Sequence, residues 1–222
     1  MKEQISSQAG ALVDTLIERG MRVTTAESCT GGLVSAAITE VRGSSAAFEG
    51  GAVCYANGAK SSLLGVNEEI FATKGAVSAE CAEAMAQGAA TLFLADLAIA
   101  LTGIAGPDGG TPQKPVGTVF ICVTIRDRGR FFPMVVENHF SGNREEIRKQ
   151  SVLKALRLAN AALSGEIYDD LALPLCICSD GAGEDLREDL PLEELLSDGL
   201  PLGGSCVGEE LSPFEGALLE EL

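Results

Sequence analysis

A serine and a lysine are the residues of this sequence whose types and positions best suit nucleophilic chemistry. Ser28 stands in the segment AESCTGG, between a short strand-like run and a stretch of small residues typical of a helix. A hydroxyl at such a turn can act as a nucleophile once a base removes its proton. The one histidine, His139, lies at a predicted strand end beside Phe140, and this position does not suit the base of a Ser-His-Asp triad. Lys60 is the available base, provided that burial keeps its amine uncharged.

Simpler interpretations of these residues remain open. Ser28 or Thr30 could be only the N-cap of the following helix, whose free N–H groups we otherwise expect to stabilise an oxyanion. A lysine taken alone is most often a surface residue. Cys29 is a rival nucleophile because a thiol at a helix start can have a lowered pKa, and a small buried filler is the alternative interpretation.

The elements that must position these residues alternate between strands and helices. Helices are predicted from the start of the chain to Gly20, and over 33–41, 57–66, 67–74, Ser78 to about Leu94, and Arg144–Leu163. Strands are predicted over Met21–Thr25, 49–55, Leu97–Thr102, Val116–Ile125 and Arg130–Asn138. The order predicts an α/β fold, a three-layer α/β/α sandwich with a mixed central sheet. Between the third and fourth strands, GIAGPDGGTPQKP predicts a long loop whose glycines let backbone approach a ligand.

Charge divides the chain into a neutral body and an acidic tail. The net charge is −16, yet residues 1–165 hold 16 acidic and 15 basic side chains, whereas residues 166–222 hold 16 acidic side chains and only Arg187. We therefore predict one domain over 1–165 and a mostly disordered tail over 166–222. A neutral body argues against nucleic acid as the partner and favours a small molecule.

The first twenty residues carry charges among their apolar positions, including Glu3, Asp14 and Glu18, so neither a signal peptide nor a membrane span is predicted. We expect a cytoplasmic protein with no membrane partner. The seven cysteines are an odd number without a disulfide-framework pattern, which favours reduced thiols. No metal is expected, since Cys176 and Cys178 with the distant Cys206 would make only an improvised zinc site.

Six sequence blocks resemble one family: the nicotinamide-nucleotide amidohydrolases, the stand-alone form of the CinA carboxy-terminal domain. The blocks are TTAESCTGG (24–32), GSSAAFEGGAVCYANGAKSSLLGV (43–66), GAVS (75–78), LTGIAGPDGG (101–110), KPVGTV (114–119) and GNREEIR (142–148). The resemblance covers residues 5–163. It implies hydrolysis of nicotinamide mononucleotide to nicotinic acid mononucleotide and ammonia, with no cofactor and in a homodimer.

The resemblance also implies roles for individual residues. Ser28 would be the nucleophile and Lys60 the base, Tyr55 and Ser45 would support the dyad or line its site, and Thr102 would lie near the amide and its oxyanion. Arg144 would bind the substrate phosphate. Further substrate-binding positions are Thr30, Gly31, Gly106, Gly109 and Gly110.

Two other functions stay open from the sequence. Some members of such a family could bind a nucleotide without turning it over. The acidic tail has no counterpart in the family pattern, and it could make the chain an interaction protein in a competence or DNA-damage setting.

Overall fold

The computed structural model describes residues 1–164; the predicted acidic tail lies outside the described residues. Five strands are present in this part of the chain: β1 Val23–Glu27, β2 Phe48–Val53, β3 Leu97–Gly103, β4 Thr118–Asp127 and β5 Arg130–His139. The helices are α1 Lys2–Arg19, α2 Leu33–Thr39, α3 Asn57–Leu64, α4 Glu68–Thr73, α5 Ala79–Leu92 and α6 Arg144–Ser164, with a 3-10 turn at Ser44–Ala46. None of these helices has the length and apolar character needed to cross a bilayer.

The strands form one mixed sheet in the order β2-β1-β3-β4-β5. β1 is parallel to both β2 and β3, whereas β4 runs antiparallel to β3 and to β5. The carboxyl ends of β1, β2 and β3 therefore meet at one edge of the sheet, which is where α/β folds usually place their ligands. The predicted mixed sheet is confirmed.

The two faces of the sheet carry different side chains, and this difference decides which helices cover them. On one face, Leu97, Ile99 and Leu101 of β3 join a core built with α1, α2 and α6. On the other face, Ala98 and Ala100 pack against the alanine-rich side of α5 together with α3. Small residues on both partners let α5 lie close to the sheet. The predicted three layers are confirmed. α3 packs against α5 in the Ala-rich layer.

Close approach of α5 to α3 depends on Gly88. A Cβ atom at this position would lie 2.0 Å from the main-chain oxygen of Leu64, so no other residue fits without backbone movement. We expect Gly88→Ala to lower the free energy of unfolding by about 1–3 kcal/mol, because over-packing forces such shifts. Urea unfolding measures this. Gly10→Ala in α1 is the matched control: open space surrounds that Cβ position, so the substitution should be neutral or stabilising, and an equal loss in both variants would contradict the packing argument.

Several predicted boundaries differ from the structure by one or two residues; β4, predicted over Val116–Ile125, spans Thr118–Asp127. β1 lies two residues further along than predicted, so that Glu27 is its last residue and pairs with Val53 and Leu101. A charged residue marks a strand end in a sequence, but here hydrogen bonds to its carboxylate make its burial possible. α3 begins at Asn57, as predicted, and ends at Leu64, two residues before its predicted end.

Candidate active site

The predicted nucleophile lies directly after β1, at the edge where the parallel strands end. The Ser28 N–H donates to the Leu101 carbonyl of β3 at 3.0 Å. On the other side of β1, the Cys54 N–H donates to the Glu27 carbonyl at 2.8 Å. Sheet pairing thus continues past β1 and fixes the backbone on which Ser28 sits.

Lys60 reaches the serine from the neighbouring helix. It lies on α3, only 2% exposed, and its Nζ donates to Ser28 Oγ at 3.3 Å. The same amine donates to the Tyr55 carbonyl at 3.3 Å. The structure therefore brings together the two side chains, 32 residues apart, that a Ser-Lys dyad requires.

The surroundings of Lys60 favour its uncharged form. Burial lowers the pKa of the Lys60 amine below its usual 10.5. Cys81, Cys54 and Cys29 are near enough to oppose this shift as thiolates. Burial, however, raises the pKa of both Cys81 and Cys29 to about 11, and it raises the pKa of Cys54 as well. The thiols therefore stay protonated near neutral pH and supply no stabilising charge to an ammonium.

The same burial answers the question of the rival nucleophile. Cys29 is 6% exposed and belongs to the core cluster under α1, α2 and α6. Its pKa of about 11, raised mainly by burial, leaves almost no thiolate near pH 7. The structure thus favours the filler interpretation of Cys29 over the nucleophilic one.

The loop Ser28–Gly32 separates the serine from α2, and the helix start is already occupied. Glu27 Oε2 accepts from the N–H groups of Gly32 and Val34 at 3.0 Å each. Its Oε1 accepts from the N–H of Ser35 at 2.8 Å. The expectation that these N–H groups would face an oxyanion is therefore wrong: a carboxylate of this chain already binds them. Thr30 and Gly31 lie within the loop, and the Gly31 N–H donates to the Ser28 carbonyl at 3.0 Å.

Tyr55, whose carbonyl accepts from Lys60, contacts Arg144 through its side chain. The Arg144 Nη2 donates to the Tyr55 hydroxyl at 2.9 Å, and its Nη1 donates to the Gly106 carbonyl at 2.7 Å. The Tyr55 side chain is 61% exposed, so its contribution next to Lys60 comes from its main-chain carbonyl. Arg144 thereby connects the glycine loop to the segment that carries the dyad lysine. Gly109 and Gly110 lie further along this loop.

Thr102 lies at the same edge, but its hydroxyl already has an acceptor. Its Oγ1 donates to the Ala76 carbonyl at 2.6 Å, and the residue is 1% exposed. Since a hydroxyl has a single hydrogen, it cannot also donate to an oxyanion in this conformation.

Lys114 of the glycine loop contacts the segment around Ala76. Its Nζ donates to the Val77 carbonyl at 2.6 Å and to the Lys74 carbonyl at 2.8 Å.

Comparison with known proteins shows a family. The model of the CinA C-terminal domain matches residues 5–163. The chain belongs to this family. It is 49% identical over 165 residues to a CinA-like protein of Mycolicibacterium gilvum, an overlap that covers 73% of this chain and 38% of that relative. The chain thus spans well under half of the length of the curated relatives it matches.

Solved structures agree with this assignment to the CinA C-terminal domain. A competence/damage inducible protein of Agrobacterium tumefaciens is similar, with a TM-score of 0.68 and 41% identity, over 72% of this chain and 96% of that one. A CinA-superfamily protein of Escherichia coli is similar with a TM-score of 0.65 and 34% identity, over 72% and 90% of the two chains. The fold of the CinA domain here is therefore that of its solved relatives.

One predicted position is not brought to the CinA-domain site. Ser45 lies in the 3-10 turn before β2, where its carbonyl and that of Ala46 accept from the Arg22 guanidinium. The Val23 N–H donates to the next carbonyl, that of Ala47, so this turn lies at the amino end of β1. A five-residue strand, about 16 Å long, separates it from Ser28. Within one chain, Ser45 does not line the site of Ser28 and Lys60.

A second arginine of the CinA domain was missed by sequence reasoning. Arg148 Nη2 donates to the Thr30 carbonyl at 2.7 Å, which attaches α6 to the loop after Ser28. Thr30 Oγ1 and Arg148 Nε are both buried without a hydrogen-bond partner among residues 1–164. A signal was available, since Arg148 follows Arg144 by four residues and must share its helix face. The sequence does not single out Glu27 either, because it lies in the segment AESCTGG, whose pattern predicts a turn.

Proposed function

We propose that this chain hydrolyses the amide of nicotinamide mononucleotide to give nicotinic acid mononucleotide and ammonia. The observation that carries the proposal is the 3.3 Å contact between Lys60 Nζ and Ser28 Oγ. A buried amine whose pKa is lowered, next to a hydroxyl at the ligand-binding edge of the sheet, is the arrangement that amide hydrolysis by a serine requires. The family resemblance supplies the substrate.

The chemistry takes two steps. In the first, Lys60 accepts the proton of Ser28 while Oγ forms a bond to the amide carbon; the C–N bond then breaks as Lys60 returns the proton to the leaving nitrogen, which departs as ammonia. In the second, Lys60 accepts a proton from water, whose oxygen attacks the acyl ester, and Ser28 leaves with that proton. Since Glu27 binds the helix-start N–H groups, we infer that peptide N–H groups following Ser28 in its loop stabilise the oxyanion.

Ammonia release tests the proposal directly. The purified 222-residue chain should release one ammonia for each nicotinic acid mononucleotide formed, as measured by an ammonia-coupled assay and by separation of the two nucleotides. Binding of nicotinamide mononucleotide without release would contradict the proposal and favour the silent nucleotide-binding module. A homodimer and a cytoplasmic location stay predictions.

Arg144 is proposed to bind the substrate phosphate. Arg144 is exposed, and its guanidinium is held in place by the Gly106 carbonyl and the Tyr55 hydroxyl. We expect Arg144→Met to lower kcat/KM for nicotinamide mononucleotide about 10- to 100-fold, since a charge-assisted hydrogen bond is worth about 1.5–3 kcal/mol. The measurement compares the nucleotide with nicotinamide riboside, which lacks the phosphate, and the riboside should lose much less.

The control for Arg144 is an arginine with a similar tethering role at the other end of β1. Arg22 contacts Glu49 at 3.1 Å and donates to the Ala46 carbonyl at 2.9 Å. Arg22→Met should leave KM for the nucleotide unchanged. Equal losses of Arg144→Met on nucleotide and riboside would show that Arg144 only tethers the loop and would overturn its phosphate role.

A further inference from the structure

Next to the serine, the structure buries a carboxylate that the proposed chemistry does not use. Glu27 is 0% exposed, and its two oxygens accept four hydrogen bonds. Three come from the N–H groups of Gly32, Val34 and Ser35, as described above; the fourth comes from the Ser35 hydroxyl at 2.8 Å. A buried charge is costly unless it is fully hydrogen-bonded, and this one is.

The side chain of Glu27 closes the loop that carries the serine. It starts one residue before Ser28 and binds the chain again at Gly32, so that residues 28–31 are held at both ends. Gly31 and Gly32 have φ angles of 61° and 95°, a left-handed conformation that allows the chain to return toward the carboxylate. The position of Ser28 therefore depends on this contact as well as on the sheet.

The main chain of Glu27 fixes the other half of the dyad. Its carbonyl accepts from the Cys54 N–H at 2.8 Å, and the carbonyl of the next residue, Tyr55, accepts from Lys60 Nζ. One residue thus connects the loop of Ser28 on one face of the sheet with the segment that positions the lysine amine.

We infer that Glu27 is a positioning residue of the proposed hydrolase. Resting on the function proposed above, the inference is that its carboxylate holds Ser28 Oγ at attacking distance from Lys60 Nζ without touching the substrate. The carboxylate is the group that the geometry requires, since four donors converge on two acceptor oxygens. An amide of equal length offers one acceptor oxygen and turns an NH₂ group toward the remaining donors.

The test is Glu27→Gln, assayed with nicotinamide mononucleotide. We expect kcat to fall roughly 10- to 100-fold, because displacement of a reacting group by about 1 Å has this effect. KM should change less than about twofold, since the phosphate and ring contacts are untouched. The midpoint of the pH profile of kcat/KM should not move, since the residue acts through position and not on the pKa of Lys60. Asn67→Ala, which removes the side-chain cap of α4, is the matched control and should keep full kcat.

Ser35→Ala provides a second variant should Glu27→Gln fail to fold. It removes the Ser35 hydroxyl, which donates to Glu27 and contacts Thr25 Oγ1 at 2.6 Å, and leaves the three N–H donors in place, so kcat should fall about threefold with KM unchanged. Full kcat in a folded Glu27→Gln, or in Ser35→Ala where only that variant folds, would overturn the inference. A shifted pH midpoint would overturn it as well, since Glu27 would then act through its charge.

Hydrogen exchange separates this inference from the proposed function. If the wild-type chain releases no ammonia, the proposed hydrolase function is wrong. The hold of Glu27 on the loop of Ser28 can still be measured in that case. The amides of Gly32, Val34 and Ser35 should exchange at least about tenfold faster in Glu27→Gln than in the wild type, and only about threefold faster in Ser35→Ala, which keeps their acceptor; those of α5 should not change. In that case, unchanged exchange at these amides in Glu27→Gln would show that Glu27 does not hold the loop of Ser28, and it would overturn the inference.

Discussion

Ser28→Ala should release ammonia from nicotinamide mononucleotide at least about 10³-fold more slowly than the wild-type chain, with KM nearly unchanged. The hydroxyl is the only part of the dyad that forms a bond to the substrate, so its loss leaves binding intact and removes the reaction. Alanine fits the site, because the serine is 8% exposed and its N–H still donates to Leu101. A coupled ammonia assay gives kcat and KM, and titration calorimetry of the variant measures nucleotide binding.

Cys29→Ala is the control that separates the two adjacent nucleophile candidates. The Cys29 thiol is buried in the core with a pKa of about 11, so its loss should lower stability and leave kcat within about twofold. The reverse pattern, an inactive Cys29→Ala and an active Ser28→Ala, would contradict the proposed mechanism.

The order of strands and helices could be predicted because their periodicity is local. The apolar run of β3 and the helix stop at Gly20 are signals within a few residues, and the structure confirms both elements. The end of β1 could not be predicted this way. Burial of Glu27 is possible only because the first turn of α2, including Ser35, supplies hydrogen-bond donors to its carboxylate. These donors come close to Glu27 only in the folded chain.

The proximity of Ser28 and Lys60 could not be worked out from their spacing. Nothing in the 31 residues between them indicates that α3 will lie against the end of β1; the resemblance of whole sequence blocks implied that pairing. Residue types also do not fix the direction of a single hydroxyl hydrogen. For this reason Thr102 was expected at the oxyanion, whereas it donates to Ala76.

Ser45 shows why a matching sequence block alone does not predict which residues line the site. It belongs to one long sequence block with Tyr55 and Lys60, yet β2 runs between them and places Ser45 at the opposite edge of the sheet. A matching block assigns a residue to a family position, but only the topology decides which end of a strand that position occupies. Arg148 could have been found, since helical spacing from Arg144 predicts its face.

Lys60→Arg should abolish hydrolysis, with kcat reduced at least about 10³-fold, because a guanidinium keeps its charge at every working pH and cannot accept the Ser28 proton. In the wild type, kcat/KM should rise with pH through the pKa of Lys60, which burial places below 10.5. A pH-rate profile checks both statements. Normal turnover in Lys60→Arg, or a flat profile up to the ordinary lysine pKa, would contradict the dyad.

Lys60→Met keeps the length of the side chain without the charge, and it turns the same argument into a stability measurement. Since the folded-state pKa is lowered, the unfolded chain binds more protons between that value and 10.5, so wild-type stability should rise with pH across this window. Below the window both states are protonated, and the cost of burying the ammonium is fully present. Lys60→Met should therefore be inactive, lack this pH dependence and, near neutral pH, unfold at a higher urea concentration than the wild type. A Lys60→Met variant less stable than the wild type at neutral pH would contradict this. It would mean that the contacts of the ammonium with Ser28 and Tyr55 outweigh the free-energy cost of burying its charge, and an uncharged base would no longer be supported.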